Sequence, residues 1–214
     1  RSAFLIMGSF FLVAGCLLAL LVRLPTREIL AGAHDPAGER HLTTGEMLRT
    51  RRFRRVWLAW SLCLCAGLGW MGHLAAMTEQ SGLSPAVAAW TLSTVALTNG
   101  LSRPLVGYLA DKVGRLPTLA GASLIFTALA LFMLLPLAGG WRFFVMGALF
   151  GACFGAFLVN YGPLAAELFG NRHFGSNFGF LFTSYGVGAL TGPALFGWLH
   201  DWTGSYAAAT QVSV

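Results

Sequence analysis

The 214-residue chain is too apolar and too poor in charge for an ordinary soluble domain. Hydrophobic residues make up 56% of it and charged residues only 10%, against about 25% charged in soluble proteins. Its apolar runs match membrane-spanning helices, which need about 20 residues to cross the hydrocarbon core. We therefore predict an all-α polytopic membrane protein, in which each run is a helix because lipid cannot satisfy backbone polar groups.

In chain order, hydropathy predicts six spans and the start of a seventh: 3–22, 56–77, 86–109, 117–137, 142–164 and 176–199, then 205 onward. The first run resembles a lipoprotein signal at Cys16, but it stays apolar through Val22, longer than a signal's 7–15 residues. Because the chain starts at Arg1 without Met and stops just after the seventh run begins, we expect it to be a fragment of a longer protein.

Basic residues give the spans an orientation. The polar connection 23–55 holds eight Arg against four acids, and Lys and Arg accumulate in cytoplasmic loops. Alternation then places 110–116 and 165–175 inside, and these loops contain Lys112, Arg115 and Arg172. This asymmetry accounts for the net charge of +6, so no nucleic-acid partner is predicted. The Arg51–Arg55 cluster fits attraction to anionic headgroups, although setting the orientation would explain it as well.

Two rows of glycine predict close helix contacts. Gly147, Gly151 and Gly155 recur every four residues, as do Gly188 and Gly192. Small residues at this spacing let transmembrane helices approach closely. We interpret both rows mainly as packing surfaces.

Gly107-Tyr-Leu-Ala-Asp111-Lys-Val-Gly114-Arg115 resembles the cytoplasmic signature of the major facilitator superfamily, at its second occurrence between the eighth and ninth spans. The resemblance implies that 1–22 is the last helix of an N-terminal half and 23–55 is the cytoplasmic linker between the halves. It also implies that 56–214 is the C-terminal half, truncated in its last helix.

The same resemblance implies that the signature helps to close the cytoplasmic side. Gly107 and Gly114 would permit a tight turn and close helix approach. Asp111 would be a gate residue with Arg115, and Glu167 in the next inner loop is placed to pair with Arg115. The alternative is that these charges only cap helices and face water.

Arg103 is the most informative residue, because a charge within a span is costly and should face a cavity or a partner. Asn99 lies one turn away, where it can support the guanidinium. The alternative is that Arg103 snorkels to the cytoplasmic interface. The segment Asn99-Gly-Leu-Ser-Arg103-Pro-Leu-Val-Gly107 resembles the oxalate/formate antiporter branch, related to the monocarboxylate carriers. The resemblance implies that Arg103 binds a substrate carboxylate.

One departure from that branch favours a monocarboxylate. The oxalate-specific site of the branch includes a Lys in the eleventh span, and here 176–199 has none. Phe157, Tyr161 and Tyr185 are predicted to form an aromatic wall of the cavity, with ordinary helix contacts as the alternative. His73, near the outer end of its span, is a weaker candidate proton carrier.

We therefore predict a secondary active transporter that moves a small organic anion by alternating access. The alternatives are an efflux carrier for uncharged or cationic compounds, and a receptor that binds ligand without transporting it. No nucleophile–base pair, metal-ligand set or phosphate loop is apparent, so neither an enzyme nor a cofactor is predicted. The expected partners are the substrate, the lipid bilayer and the missing N-terminal half, with the bacterial inner (plasma) membrane as the location.

Overall fold

The computed structural model describes residues 41–133 and 140–206, and all of its regular structure there is helical. One short helix precedes five long ones: α1 Thr44–Arg49, α2 Arg51–Gln80, α3 Pro85–Val113, α4 Arg115–Met133, α5 Trp141–Phe169 and α6 Phe174–Thr203. The predicted span 3–22 lies wholly outside the described residues, and the predicted span from 205 onward lies outside them except for its first two residues. The other five predicted spans each coincide with one long helix.

The helices begin and end where the sequence supplies suitable caps. Thr43 and Glu46 form a capping box around the first turn of α1, and Thr50 accepts a hydrogen bond from the Phe53 N–H at the start of α2. Such side chains satisfy N–H groups that have no partner within the helix. Gly114 ends α3 with a φ of 100°, a conformation that favours glycine, so α4 follows after a one-residue turn.

Among the described residues, three helices are long and apolar enough by themselves to cross a membrane: α2, α4 and α5. The other two long helices, α3 and α6, have 29 and 30 residues but contain more hydroxyl and small residues. In α3 these hydroxyls are satisfied locally, since Thr91, Thr94 and Thr98 each donate to the carbonyl four residues earlier. A helix with such internal bonds offers the surrounding lipid few unpaired polar groups.

The two predicted glycine rows lie at the two main helix–helix contacts. On α5, a Cβ at Gly155 would lie 2.7 Å from the Asn99 carbonyl oxygen of α3. On α6, a Cβ at Gly188 would lie 2.9 Å from the Cys65 backbone nitrogen of α2. Since real Cβ atoms do not approach so closely, only glycine permits either contact. The interpretation of both rows as packing surfaces is confirmed.

The core is apolar and strongly aromatic, and α5 is the most buried of the spans. Phe126 of α4 packs on Phe150 of α5, with ring centroids 5.5 Å apart. Trp60 of α2 stacks on Tyr161 of α5 at 4.1 Å and 10°. In lipid, where apolar burial drives association weakly, this close packing and the interhelical hydrogen bonds hold helices together.

Candidate functional site

Arg103 lies on an exposed face of α3 and is held by Asn99 on the preceding turn. The Arg103 Nε and Nη2 donate to Asn99 Oδ1 at 3.3 and 2.9 Å. Within the described residues Arg103 has no acidic partner. The neighbouring Ser102 is buried and its hydroxyl lies 3.3 Å from the Ala152 carbonyl of α5, which orients α3 and leaves Arg103 facing away from this contact.

The direction of the Arg103 side chain separates the two interpretations of this residue. Asn99 is one turn nearer the start of α3, whereas the signature loop that we predict to be cytoplasmic follows Val113 at its end. The guanidinium is therefore tied away from the nearer interface. Helical side chains lean toward the N-terminus of their helix, and the two hydrogen bonds to Asn99 hold Arg103 in that direction. Snorkelling would require the side chain to point toward the end of α3 instead.

The three aromatic residues predicted to form a cavity wall are placed differently from one another. Phe157 is 1% exposed and its ring packs on Phe126 of α4. Tyr161 is 4% exposed and stacks on Trp60. Tyr185 is half-buried and stacks on Phe182 of its own helix at 5.2 Å. None of these contacts brings the three rings to Arg103.

The charged residues of the signature come together as predicted. The Arg115 Nη2 donates to Asp111 Oδ1 at 2.9 Å and the Nε donates to Glu167 Oε1 at 2.6 Å. The predicted pairing of Arg115 with Glu167 is therefore confirmed, and it joins the start of α4 to the end of α5. In the described part of the chain, no backbone N–H of α4 donates to the Asp111 side chain, so Asp111 does not cap that helix.

The two signature glycines differ in what they do. Gly114 forms the turn between α3 and α4, as expected. Gly107 lies within α3, and a Cβ there would have no heavy atom within 4 Å among its neighbours. The expectation that Gly107 forms part of a turn or a close helix contact is wrong for the described residues, because α3 continues for six residues beyond it.

His73 and Thr183 both join α2 to α6. The His73 Nε2 lies 3.0 Å from the Pro193 carbonyl and the Nδ1 lies 3.1 Å from the Tyr206 hydroxyl. Because a carbonyl only accepts, Nε2 is the protonated nitrogen and Nδ1 accepts from Tyr206. The Thr183 hydroxyl accepts from the Trp57 Nε1 at 2.9 Å. Both residues have a structural explanation at these positions.

The thiols and acids of the described residues are not grouped in the way that a metal centre requires. Cys63, Cys65 and Cys153 are free thiols, and no group of three or more His, Cys, Asp or Glu side chains that could hold a metal occurs within residues 41–133 and 140–206. Cys16 lies outside the described residues. The Cys63 sulfur lies 3.9 Å from the Ser123 hydroxyl, which fits a role in packing.

One structural feature of the connection before α2 is not apparent from the sequence. Asn177 of α6 is 1% exposed, donates to the Leu42 carbonyl at 2.9 Å and accepts from the Thr44 hydroxyl at 3.0 Å. The Leu42 N–H in turn donates to the Phe169 carbonyl at the end of α5. These hydrogen bonds attach residues 42–49 to the end of α5 and to the start of α6. The only feature of the sequence that could have indicated this contact is a polar residue, Asn177, at the start of the predicted span 176–199.

Comparison with known proteins gives consistent matches. Residues 65–213 match the family model described as Major Facilitator Superfamily. The oxalate:formate antiporter of Oxalobacter formigenes is 27% identical over an alignment of 210 positions that covers 92% of this chain and 49% of the antiporter. Monocarboxylate transporter 2 of Rattus norvegicus is 26% identical over an alignment of 234 positions, gaps included, that covers 96% of this chain and 46% of that protein.

A third relative matches a shorter region. An MFS-type transporter of Gibberella moniliformis is 31% identical over 119 residues, 56% of this chain and 29% of that protein. The chain spans about half the length, or less, of the curated relatives it matches.

Proposed function

Because this chain belongs to the major facilitator superfamily, we propose that it forms one half of a secondary transporter that moves a small organic monocarboxylate by alternating access. The observation that carries the proposal is Arg103, a cation within the predicted span 86–109 whose guanidinium is held by Asn99 on the preceding turn. Arg103 lies six residues before the end of this predicted span and ten before the end of α3 at Val113, which are about 9 and 15 Å along a helix.

The pair leaves one edge of the guanidinium free for a ligand. Asn99 Oδ1 occupies the edge formed by Nε and Nη2. The remaining edge, formed by Nη1 and Nη2, has two parallel N–H donors at the spacing of the two oxygens of a carboxylate. Asn99 is neutral, so it positions Arg103 without cancelling its charge. An anionic ligand would restore neutrality in a region where an unpaired charge is costly.

The charge of the site supports a substrate with one carboxylate. Arg103 is the only Lys or Arg within the predicted spans 56–77, 86–109, 117–137 and 176–199. Arg142 is the first residue of the remaining predicted span of this half, 142–164. A single guanidinium matches one carboxylate, whereas a dianion would leave one negative charge without a cation in this half. The names of the relatives support a carboxylate cargo more broadly, since one is an antiporter of oxalate, a dicarboxylate, and formate, and another is a monocarboxylate transporter.

The aromatic residues have supporting roles in this proposal. Phe157 and Tyr161 are buried between the helices, so we propose that they fix the position of α5 rather than contact the substrate in this conformation. Tyr185 is partly exposed and remains a candidate for substrate contact. The cluster of Asp111, Arg115 and Glu167 would hold the cytoplasmic side closed in one state of the cycle.

The test is exchange of labelled formate, lactate, pyruvate and oxalate by the complete protein in liposomes. Arg103→Gln should reduce uptake of the best monocarboxylate at least about a hundredfold, because a charge-assisted bidentate contact contributes roughly 3 kcal/mol or more. Arg172→Gln is the matched control, because it removes an exposed loop arginine and should leave uptake unchanged. Folding of each variant is checked by its thermal unfolding.

Three outcomes would contradict the proposal. Equal carboxylate exchange by wild type and Arg103→Gln would make Arg103 structural. Transport of uncharged or cationic compounds, with no carboxylate exchange, would favour an efflux carrier. Specific binding of a carboxylate without any flux would instead indicate a receptor.

A further inference from the structure

A cluster of unpaired arginines surrounds the start of α2. Five of the seven residues from Arg49 to Arg55 are arginine, and all five are exposed. None of them forms a salt bridge with an acid in the described part of the chain. Charge repulsion within such a segment is relieved when an anionic partner binds. Its position immediately before the predicted span 56–77 places it at the level of lipid headgroups.

Two of these five arginines line a pocket whereas the other three do not. The pocket has a volume of about 380 Å³ and is lined by Leu42, Thr50, Arg51, Arg52, Leu168 and Phe169. Arg54 and Arg55 lie one turn further along α2 and are not part of the lining. The pocket therefore combines two cations with three apolar side chains, which is the pattern expected for a lipid headgroup and the beginning of its acyl chains.

The walls of this pocket are held in place by hydrogen bonds. The Leu42 N–H donates to the Phe169 carbonyl at 3.0 Å, and Asn177 fixes the Leu42 carbonyl at 2.9 Å. The Thr50 hydroxyl accepts from the Phe53 N–H and donates to the Met47 carbonyl. A pocket formed in advance in this way requires little ordering when it binds a ligand.

We propose that this pocket binds the phosphate of an anionic phospholipid, with Arg51 and Arg52 as its ligands. The planar guanidinium groups match phosphate oxygens in pairs. Leu42 and Leu168, which are partly exposed, contact the apolar part of the lipid next to the headgroup, and the buried Phe169 forms the floor behind them. These walls favour a lipid over free phosphate, which has no apolar surface to bury. The site is separate from the Arg103 site, and it does not depend on which substrate is transported.

The test is native mass spectrometry of the complete protein in detergent with added phosphatidylglycerol or phosphatidylcholine. Wild type should retain phosphatidylglycerol preferentially. Arg51→Gln with Arg52→Gln should weaken that retention about thirtyfold or more, the loss expected when charge-assisted hydrogen bonds to a phosphate are removed. Arg54→Gln with Arg55→Gln is the matched control, because it removes the same charge from the same helix outside the pocket, and it should weaken retention only a few-fold.

Three results would overturn the proposal. Equal loss in both double variants would show attraction to a diffuse basic surface instead of a pocket. Equal retention of the two lipids by wild type would show no preference for an anionic headgroup. Displacement of phosphatidylglycerol by inorganic phosphate at equal concentration would show a site for free anions. Thermal unfolding confirms that each variant is folded before its lipids are counted.

Discussion

At the scale of single residues, the informative side chains are those whose hydrogen bonds give them one direction. Arg103 is directed by Asn99 toward the start of α3, Arg115 is shared between Asp111 and Glu167, and His73 is held at both ring nitrogens. The sequence indicated that Arg103 and Arg115 were important because charges near or within spans are costly. Their directions depend on partners that hydropathy does not reveal.

Glu46 provides a residue-scale prediction about pH. Its carboxylate accepts hydrogen bonds from the Thr43 side chain and the Thr43 N–H, and these bonds lower the pKa of Glu46 below the ordinary value of 4.5. A lowered folded-state pKa stabilises the fold above the unfolded value and loses that effect as the pH falls through the folded value. We therefore expect α1 to loosen below pH 4.5.

Hydrogen exchange of the 42–50 amides across an acid titration measures this effect. Glu46→Gln is the informative variant, because glutamine can keep the capping-box geometry but does not titrate there. Because intrinsic amide exchange slows as the pH falls, the quantity compared is the protection factor, which should decrease in acid for wild type and change less in the variant. The same acid response in both proteins would assign the loosening to another group.

At the scale of helices, the contacts between α3 and α5 and between α2 and α6 depend on glycine. The sequence predicted which glycines would pack, because their spacing of four residues places them on one helix face. It could not assign the partner of each row. That depends on which helices are adjacent in three dimensions, and the backbone distances at Gly155 and Gly188 show it.

Gly151→Ala tests the contact between α3 and α5. A Cβ at Gly151 would overlap Thr98 Oγ1 and the Val95 carbonyl group, and such overpacking costs about 1–3 kcal/mol. We expect a lower unfolding temperature for the complete protein, measured by tryptophan fluorescence. Gly121→Ala in α4 is the control, because nothing lies within 4 Å of its Cβ, and it should be neutral or stabilising. Equal destabilisation by both substitutions would contradict a specific role for Gly151.

At the scale of the whole molecule, the charge cluster around Arg115 connects the α3–α4 turn with the end of α5. Its side chains are unequally exposed, with Arg115 at 18%, Glu167 at 54% and Asp111 at 65%. Water therefore screens the two acids, and each pair contributes at most about 1 kcal/mol. This is small for the stability of the fold, but it can shift an equilibrium between two conformations that are close in energy.

Non-additive effects of substitution would reveal such a network. Arg115→Gln removes both ion pairs, so adding Glu167→Gln to it should have no further effect. Each single variant should speed hydrogen exchange in segments 110–116 and 165–175 about two- to fivefold, the change expected for 0.5–1 kcal/mol. Arg172→Gln in the same loop should have no effect. If the effects of Arg115→Gln and Glu167→Gln simply add, the residues act separately and the gate proposal loses its support.

The sequence by itself determined the class of the protein and much of its architecture. Apolar length predicted five helices within the described residues because a bilayer has a fixed thickness, and the charged signature predicted the pair of Arg115 and Glu167. Only the tertiary structure decided which of the candidate residues lie together. Phe157 and Tyr161 point into the core, and Asn177 binds residues 42–49. Neither could be predicted, because the orientation of each helix depends on packing against its neighbours. A helical repeat in the sequence does not specify those neighbours.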